Sequence, residues 1–254
     1  MISQAIAGVS TLLLIGVGWV IGLRLLLLAR RTRGIPELTL GAGTLLIGGL
    51  GYPFAIATNV VGATRPALAG VFMVTGATLC HLGIVANTFF TWKVFRPRAL
   101  WARGLVGLFI AAAAVGFTAN LRVVLATASP AMSAVQPWTF FLCLVAASAF
   151  GWSGVEALAY HTKLRRRLAL GLADPVVTNR FLLWGVTSLA SSAGSLVNAF
   201  FTLASPLSVL DPVALAVCGS CSALSAVVMT LTFLPPATYL RFIEARHAAR
   251  AATR

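Results

Sequence analysis

Seven apolar stretches divide this 254-residue chain almost end to end, each close to the about 20 residues a helix needs to cross the hydrocarbon core of a bilayer. They fall roughly at 6–28, 38–60, 67–91, 104–126, 137–160, 181–203 and 212–233. Backbone in lipid must satisfy its own N–H and C=O groups, so segments of this kind fold as helices. The fold class expected is therefore all-α: an integral membrane protein with a seven-transmembrane-helix bundle over residues 1–240 and a basic tail over 241–254. Composition agrees, at 59% hydrophobic and 9% charged residues with a mean hydropathy of +0.95. A water-soluble core could not bury that much apolar surface, whereas lipid accepts it on the outside of a bundle. No stretch of ordinary soluble composition is long enough for a second domain.

Proline placement gives the same count by another route. Pro36, Pro66, Pro97, Pro137, Pro175 and Pro212 each stand just ahead of segments two to seven. The first helical turn favours proline because its missing N–H would have no partner there. Asp174-Pro175 and Asp211-Pro212 read as a side-chain cap followed by the first helical residue.

The loops set an orientation. Seventeen of the nineteen Lys and Arg residues fall on one side. They lie after segment one (Arg24, Arg30, Arg31, Arg33), after segment three (Lys93, Arg96, Arg98, Arg103), after segment five, and in the tail. The group after segment five is Lys163, Arg165, Arg166, Arg167 and Arg180; the tail holds Arg241, Arg246, Arg250 and Arg254. Only Arg65 and Arg122 are left for the other side. The positive-inside rule puts the seventeen in the cytoplasm, the N-terminus outside and the C-terminus inside a cell membrane. No Lys or Arg precedes the first apolar run, which exceeds a signal-peptide core, so it is expected to be retained. The net charge of +14 is accounted for by these patches, and nucleic acid is not an expected partner. Anionic lipid headgroups on the cytoplasmic side are, with Arg165, Arg166 and Arg167 as the contact or as a dock for a signalling partner or a second copy. The tail after Pro235-Pro236 is expected to form a short membrane-surface helix.

Polar groups at depth supply the candidate site. In segment six, Ser188, Ser191, Ser192, Ser195, Asn198 and Thr202 share one side of a helical wheel. In segment seven, Ser222 and Ser225 share a side with Cys218 and Cys221. His81, with Thr78 near it on segment three, is the one histidine at depth. It reads as a ligand contact or switch, or as a neutral histidine bonded between helices. Glu156, late in segment five, reads as a cation site or as an interface carboxylate held by Lys163 or a loop arginine. Cys218 and Cys221 have C-x-x-C spacing and are weak metal candidates; cysteine at such places also serves as a small packing residue. Hydroxyl stripes themselves have a packing role, because small residues let membrane helices approach closely. The glycine-rich run at 41–53 reads as close packing with a kink at Pro53.

In topology alone, and in no motif, seven helices with the N-terminus out and the C-terminus in resembles microbial rhodopsins and seven-helix receptors. A retinal protein of that kind would need a lysine in its last helix. The lysines here are Lys93 and Lys163, so retinal is disfavoured and no cofactor is predicted. Five acidic residues and three histidines, mostly near interfaces, are thin material for catalysis, and the chain is not expected to be an enzyme. The expected function is that of a receptor-like sensor with a small-ligand cavity among segments three, five, six and seven. A small-solute or ion transporter or channel, and a membrane subunit of a larger complex, are the alternatives.

Overall fold

The structure, a computed structural model, describes residues 2–62, 64–126, 132–204 and 211–252. Arg254 lies outside these residues. Within them the chain is all-helical: α1 (Ile2–Thr32), α2 (Ile35–Thr44), a π-helical turn (Leu45–Gly51), α3 (Tyr52–Gly62), α4 (Pro66–Phe95), α5 (Leu100–Ala126), α6 (Met132–Ala169), α7 (Pro175–Ala204), α8 (Pro212–Phe233) and α9 (Ala237–Ala252). Seven helices are long and apolar enough to cross a membrane, α2, the π turn and α3 together forming the second. Large apolar side chains such as Leu12, Val60, Leu108 and Leu125 stay exposed on the outside, where a bilayer would cover them. The molecule is a multi-pass membrane protein by length and composition of its helices.

The helix ends follow local chemistry. Asp211 Oδ1 accepts from the N–H groups of Val213 and Ala214 at 2.8 and 3.1 Å, and Asp174 Oδ1 from Val177 N–H at 2.8 Å. These are the donors a helix start leaves orphaned. Two boundaries depart from the sequence reading. Pro137 lies inside α6, which begins at Met132 rather than at the proline. At its other end α6 runs through Arg165, Arg166 and Arg167 instead of breaking into a separate interfacial turn. Nothing in KLRRRLA disfavours helix, and termination waits for Gly171 at φ +70°. There Leu172 N–H bonds Arg167 O and Gly171 N–H bonds Leu168 O, a Schellman end.

The second span departs as well. The wheel predicts a kink at Pro53, and the structure puts a π turn directly before it, with Tyr52 N–H reaching Ile47 O five residues back. Proline cannot donate and its ring crowds the preceding turn, and the wider π turn gives it room.

Six elements close into a ring by their contacts: α1 packs on α8 and α2, α2 on α4, α4 on α6, α6 on α7, and α7 on α8. α5 sits outside, against α4 and α6. Lipid tails are as apolar as leucine, so this packing rests on close van der Waals contact and hydrogen bonds. Glycine makes the closest seam: a Cβ on Gly18 of α1 would stand 2.7 Å from the backbone N of Gly49. Two apolar clusters fill the rest. One, at the basic end of the ring, holds Ile21, Leu25, Leu40, Trp184 and Met229, with Phe90, Phe95 and Phe233 against it. The other joins α4, α5 and α6 through Ile84, Phe109, Val145 and Ala149.

Candidate functional site

At the centre of the ring lies a cavity of about 350 Å3. Its α7 wall runs from Trp184 to Asn198, about 20 Å at 1.5 Å per residue. The opposite walls are Thr11, Leu14 and Gly18 of α1 and Thr44, Ile47 and Gly48 of α2 and the π turn. At the basic end it stops against an aromatic layer. Trp184 meets Phe90 at 5.4 Å and Phe233 at 6.0 Å between ring centroids, and Phe95, Tyr160 and Phe181 stack below them. Trp184 is fixed there by its Nε1–H, which donates to Ser153 Oγ at 3.0 Å. No lining residue is Asp, Glu, Lys, Arg or His.

The hydroxyl stripe of α7 divides between two tasks. Ser188, Ser191, Ser195 and Asn198 line the cavity, and so do Ser222 and Ser225 of α8. Ser192 turns the other way and donates to Ala147 O of α6 at 2.8 Å. Ser191 and Ser225 meet across the α7–α8 seam at 3.3 Å. Ser188, Ser195, Asn198 and Ser222 make no side-chain hydrogen bond among the described residues, so their polar groups are open to a guest. Cys218 and Cys221 also line the wall as free thiols; Cys218 Sγ lies 3.6 Å from Gly194 O. Among the described residues no three His, Cys, Asp or Glu side chains converge.

The ionisable groups at depth stand elsewhere. His81 is 2% exposed and faces α5, not the cavity; its Nδ1 pairs with Ala77 O at 2.8 Å. A Cβ on Gly116 would come 2.4 Å from His81 Nε2, so no space is left beside the ring. Thr78 donates to Val74 O within its own helix. Glu156 is held by Arg96, whose Nε donates to both carboxylate oxygens at 2.8 and 3.0 Å. Through that bond and the charge behind it, the carboxylate holds the Arg96 guanidinium protonated more firmly than an ordinary arginine. Arg122 is exposed and does not turn inward, while Asn120 Nδ2 donates to Gly116 O at 2.8 Å.

Around Arg96 the basic end is aromatic. Lys93 lies 4.2 Å and Arg103 5.6 Å from the Trp92 ring, with Arg96 5.9 Å from Trp101. Arg165, Arg166 and Arg167 are exposed on the last turns of α6. α9 docks by Tyr239, whose hydroxyl accepts from Asn179 Nδ2 at 2.9 Å.

Sequence reasoning missed Asn87 of α4, which lines the cavity and is 4% exposed, and it aimed Trp184 away from the site. An amide in the middle of an apolar span was the signal for Asn87. Nothing in the sequence marked the contributions of α1 and the π turn, since glycine, leucine and isoleucine there look like any lipid-facing run. No protein-family model, no curated protein and no solved structure matches this chain.

Proposed function

We propose that this chain is a receptor-like protein of the cell membrane that binds a small, uncharged ligand in the ring cavity. Its N-terminal end faces outside and its basic end the cytoplasm. The observation behind this reading is a central, charge-free cavity whose α7 and α8 walls carry unbonded hydroxyls and whose basic end is plugged by aromatic rings. Pockets of about 300–1,000 Å3 with a few polar groups on an apolar wall suit small ligands. The exposed arginines at the end of α6 supply the face toward a cytoplasmic partner or anionic lipid.

A carrier is the second reading, and one feature favours it. The aromatic layer and the Arg96–Glu156 pair both lie between the cavity and the basic end, where a closed inner gate would stand.

Native mass spectrometry of protein drawn gently from its membrane tests the binding reading. A neutral molecule is expected on the wild type and absent from Ser195→Leu and Ser222→Leu, which fill the cavity from its half-buried wall. Identical spectra for all three proteins would overturn it. Proteoliposome flux of the released molecule, lost in Glu156→Gln, would select the carrier. Capture of a cytoplasmic protein, lost when Arg165, Arg166 and Arg167 are neutralised, would select the receptor.

A further inference from the structure

The cavity borders one polar atom that the protein leaves unsatisfied. Asn87 is 96% buried, lines the deep end of the cavity, and its Nδ2 has no hydrogen-bond partner among the described residues. A buried amide N–H without a partner costs about 1–3 kcal/mol, so such a donor asks for an acceptor from outside the chain. Its backbone is pinned: a Cβ on Gly43 would come 3.3 Å from Asn87 N, and Thr91 Oγ1 donates to Asn87 O at 3.0 Å. The side chain therefore has little freedom to find a partner on a neighbouring helix.

Three further properties of the space narrow what could fill it. No charged side chain lines it, so a charged guest would be stripped of water with no counter-charge to meet it. The volume of about 350 Å3 is spread along about 20 Å, which suits a slender molecule and not a compact ring system. The walls differ in kind: Leu14, Gly18, Ile47 and Gly48 are apolar, while Ser188, Ser195 and Ser222 face them with unbonded hydroxyls.

We propose that the ligand is an uncharged, single-chain amphiphile with an acceptor oxygen at its leading end. That oxygen takes the Asn87 Nδ2 hydrogen at the floor of the cavity. The chain runs outward with its apolar edge on α1 and the π turn and any further oxygens toward the α7–α8 hydroxyls. This rests on the ligand-binding reading above and adds the ligand's chemical class to it.

The native thiols on the wall make the test specific. N-ethylmaleimide modification of Cys218 and Cys221 is followed by peptide mass spectrometry on protein in nanodiscs, with decanamide, decanoate or decylammonium added. Decanamide is expected to slow the modification saturably, and the two charged probes, equal in chain, to need at least tenfold more. Asn87→Leu should raise the decanamide concentration needed at least tenfold, whereas Ser192→Ala, on the α6 side of α7, should not change it. Unchanged alkylation of Cys218 and Cys221 without probe shows that Asn87→Leu is folded; if it is not, Asn87→Ser is used with the same expectation. Equal protection by all three probes, or full protection of a folded Asn87 variant, would overturn the assignment. A co-purified neutral molecule together with no protection by decanamide would sink the ligand class alone. An empty protein that no probe protects would sink the binding reading with it.

Discussion

Helix α4 carries two buried side chains that each hold a nitrogen without a hydrogen-bond partner among the described residues, and their surroundings are opposite. His81 Nε2 is pressed against Gly116 of α5 with no room for a hydrogen atom's worth of guest. Asn87, six residues on and so about 120° around the helix, borders the ring cavity. Charge alone would rank them the other way, since an ionisable group at membrane depth is the costlier of the two. Space decides instead. A polar atom becomes a binding atom only where the fold leaves volume beside it, and α5 takes that volume away from His81.

The largest effect that would test this contrast comes from the crowded side. Gly116→Ala drives a methyl into the His81 ring and should lower stability by about 2–3 kcal/mol, read as a lower Tm in detergent. His81→Ala in the same protein should recover most of the loss. An undiminished Tm for Gly116→Ala would mean that space does exist beside His81, and the contrast with Asn87 would fail.

Next in size is the ion pair at the basic end. A double-mutant cycle on Arg96→Ala and Glu156→Ala should give a coupling of about 1 kcal/mol, modest because the Arg96 side chain is 42% exposed. A coupling indistinguishable from zero would leave Glu156 free for the cation role that its position in the sequence also suggested.

On the cavity side the changes in stability should be smaller. Asn87→Leu removes an unsatisfied donor, so stability should stay within about 1 kcal/mol of the wild type or rise, while ligand protection is lost. A large loss of stability would instead make Asn87 a packing residue like His81. The finest comparison lies within α7 itself. Ser192→Ala, which breaks a bond to α6, should cost about 0.6 kcal/mol, and Ser195→Ala, which breaks none, should cost nothing measurable in the same unfolding assay.

Much of the architecture was legible because it follows from one-dimensional rules. Apolar run length gave the helices, proline and Asp-Pro pairs marked most of their starts, and a period of 3.6 put Ser188, Ser191, Ser195 and Asn198 on one face. What those rules lack is the partner of each face. Ser192 differs from Ser195 by which helix it meets, and Trp184 belongs to the cavity floor because Ser153 on α6 holds its ring there. The pairing of Glu156 with Arg96 rather than with Lys163 likewise depends on where the end of α4 lands against α6. The π turn before Pro53 was beyond pattern reading for a further reason. It depends on how a proline-capped, glycine-rich strip settles against α1 and α4 at backbone contact distance.

The unbroken length of α6 has a mechanical consequence. Its 38 residues make a rod of about 57 Å, while a bilayer with its headgroups is about 40–45 Å thick. Even at an ordinary tilt of about 20°, roughly two turns must stand clear of the membrane. One wall residue of the cavity, Phe150, and the exposed Arg165, Arg166 and Arg167 are thus mounted on a single stiff shaft, with no loop between them to absorb displacement. Any rotation of α6 that reshapes the cavity sweeps those three charges through the water beyond the headgroups.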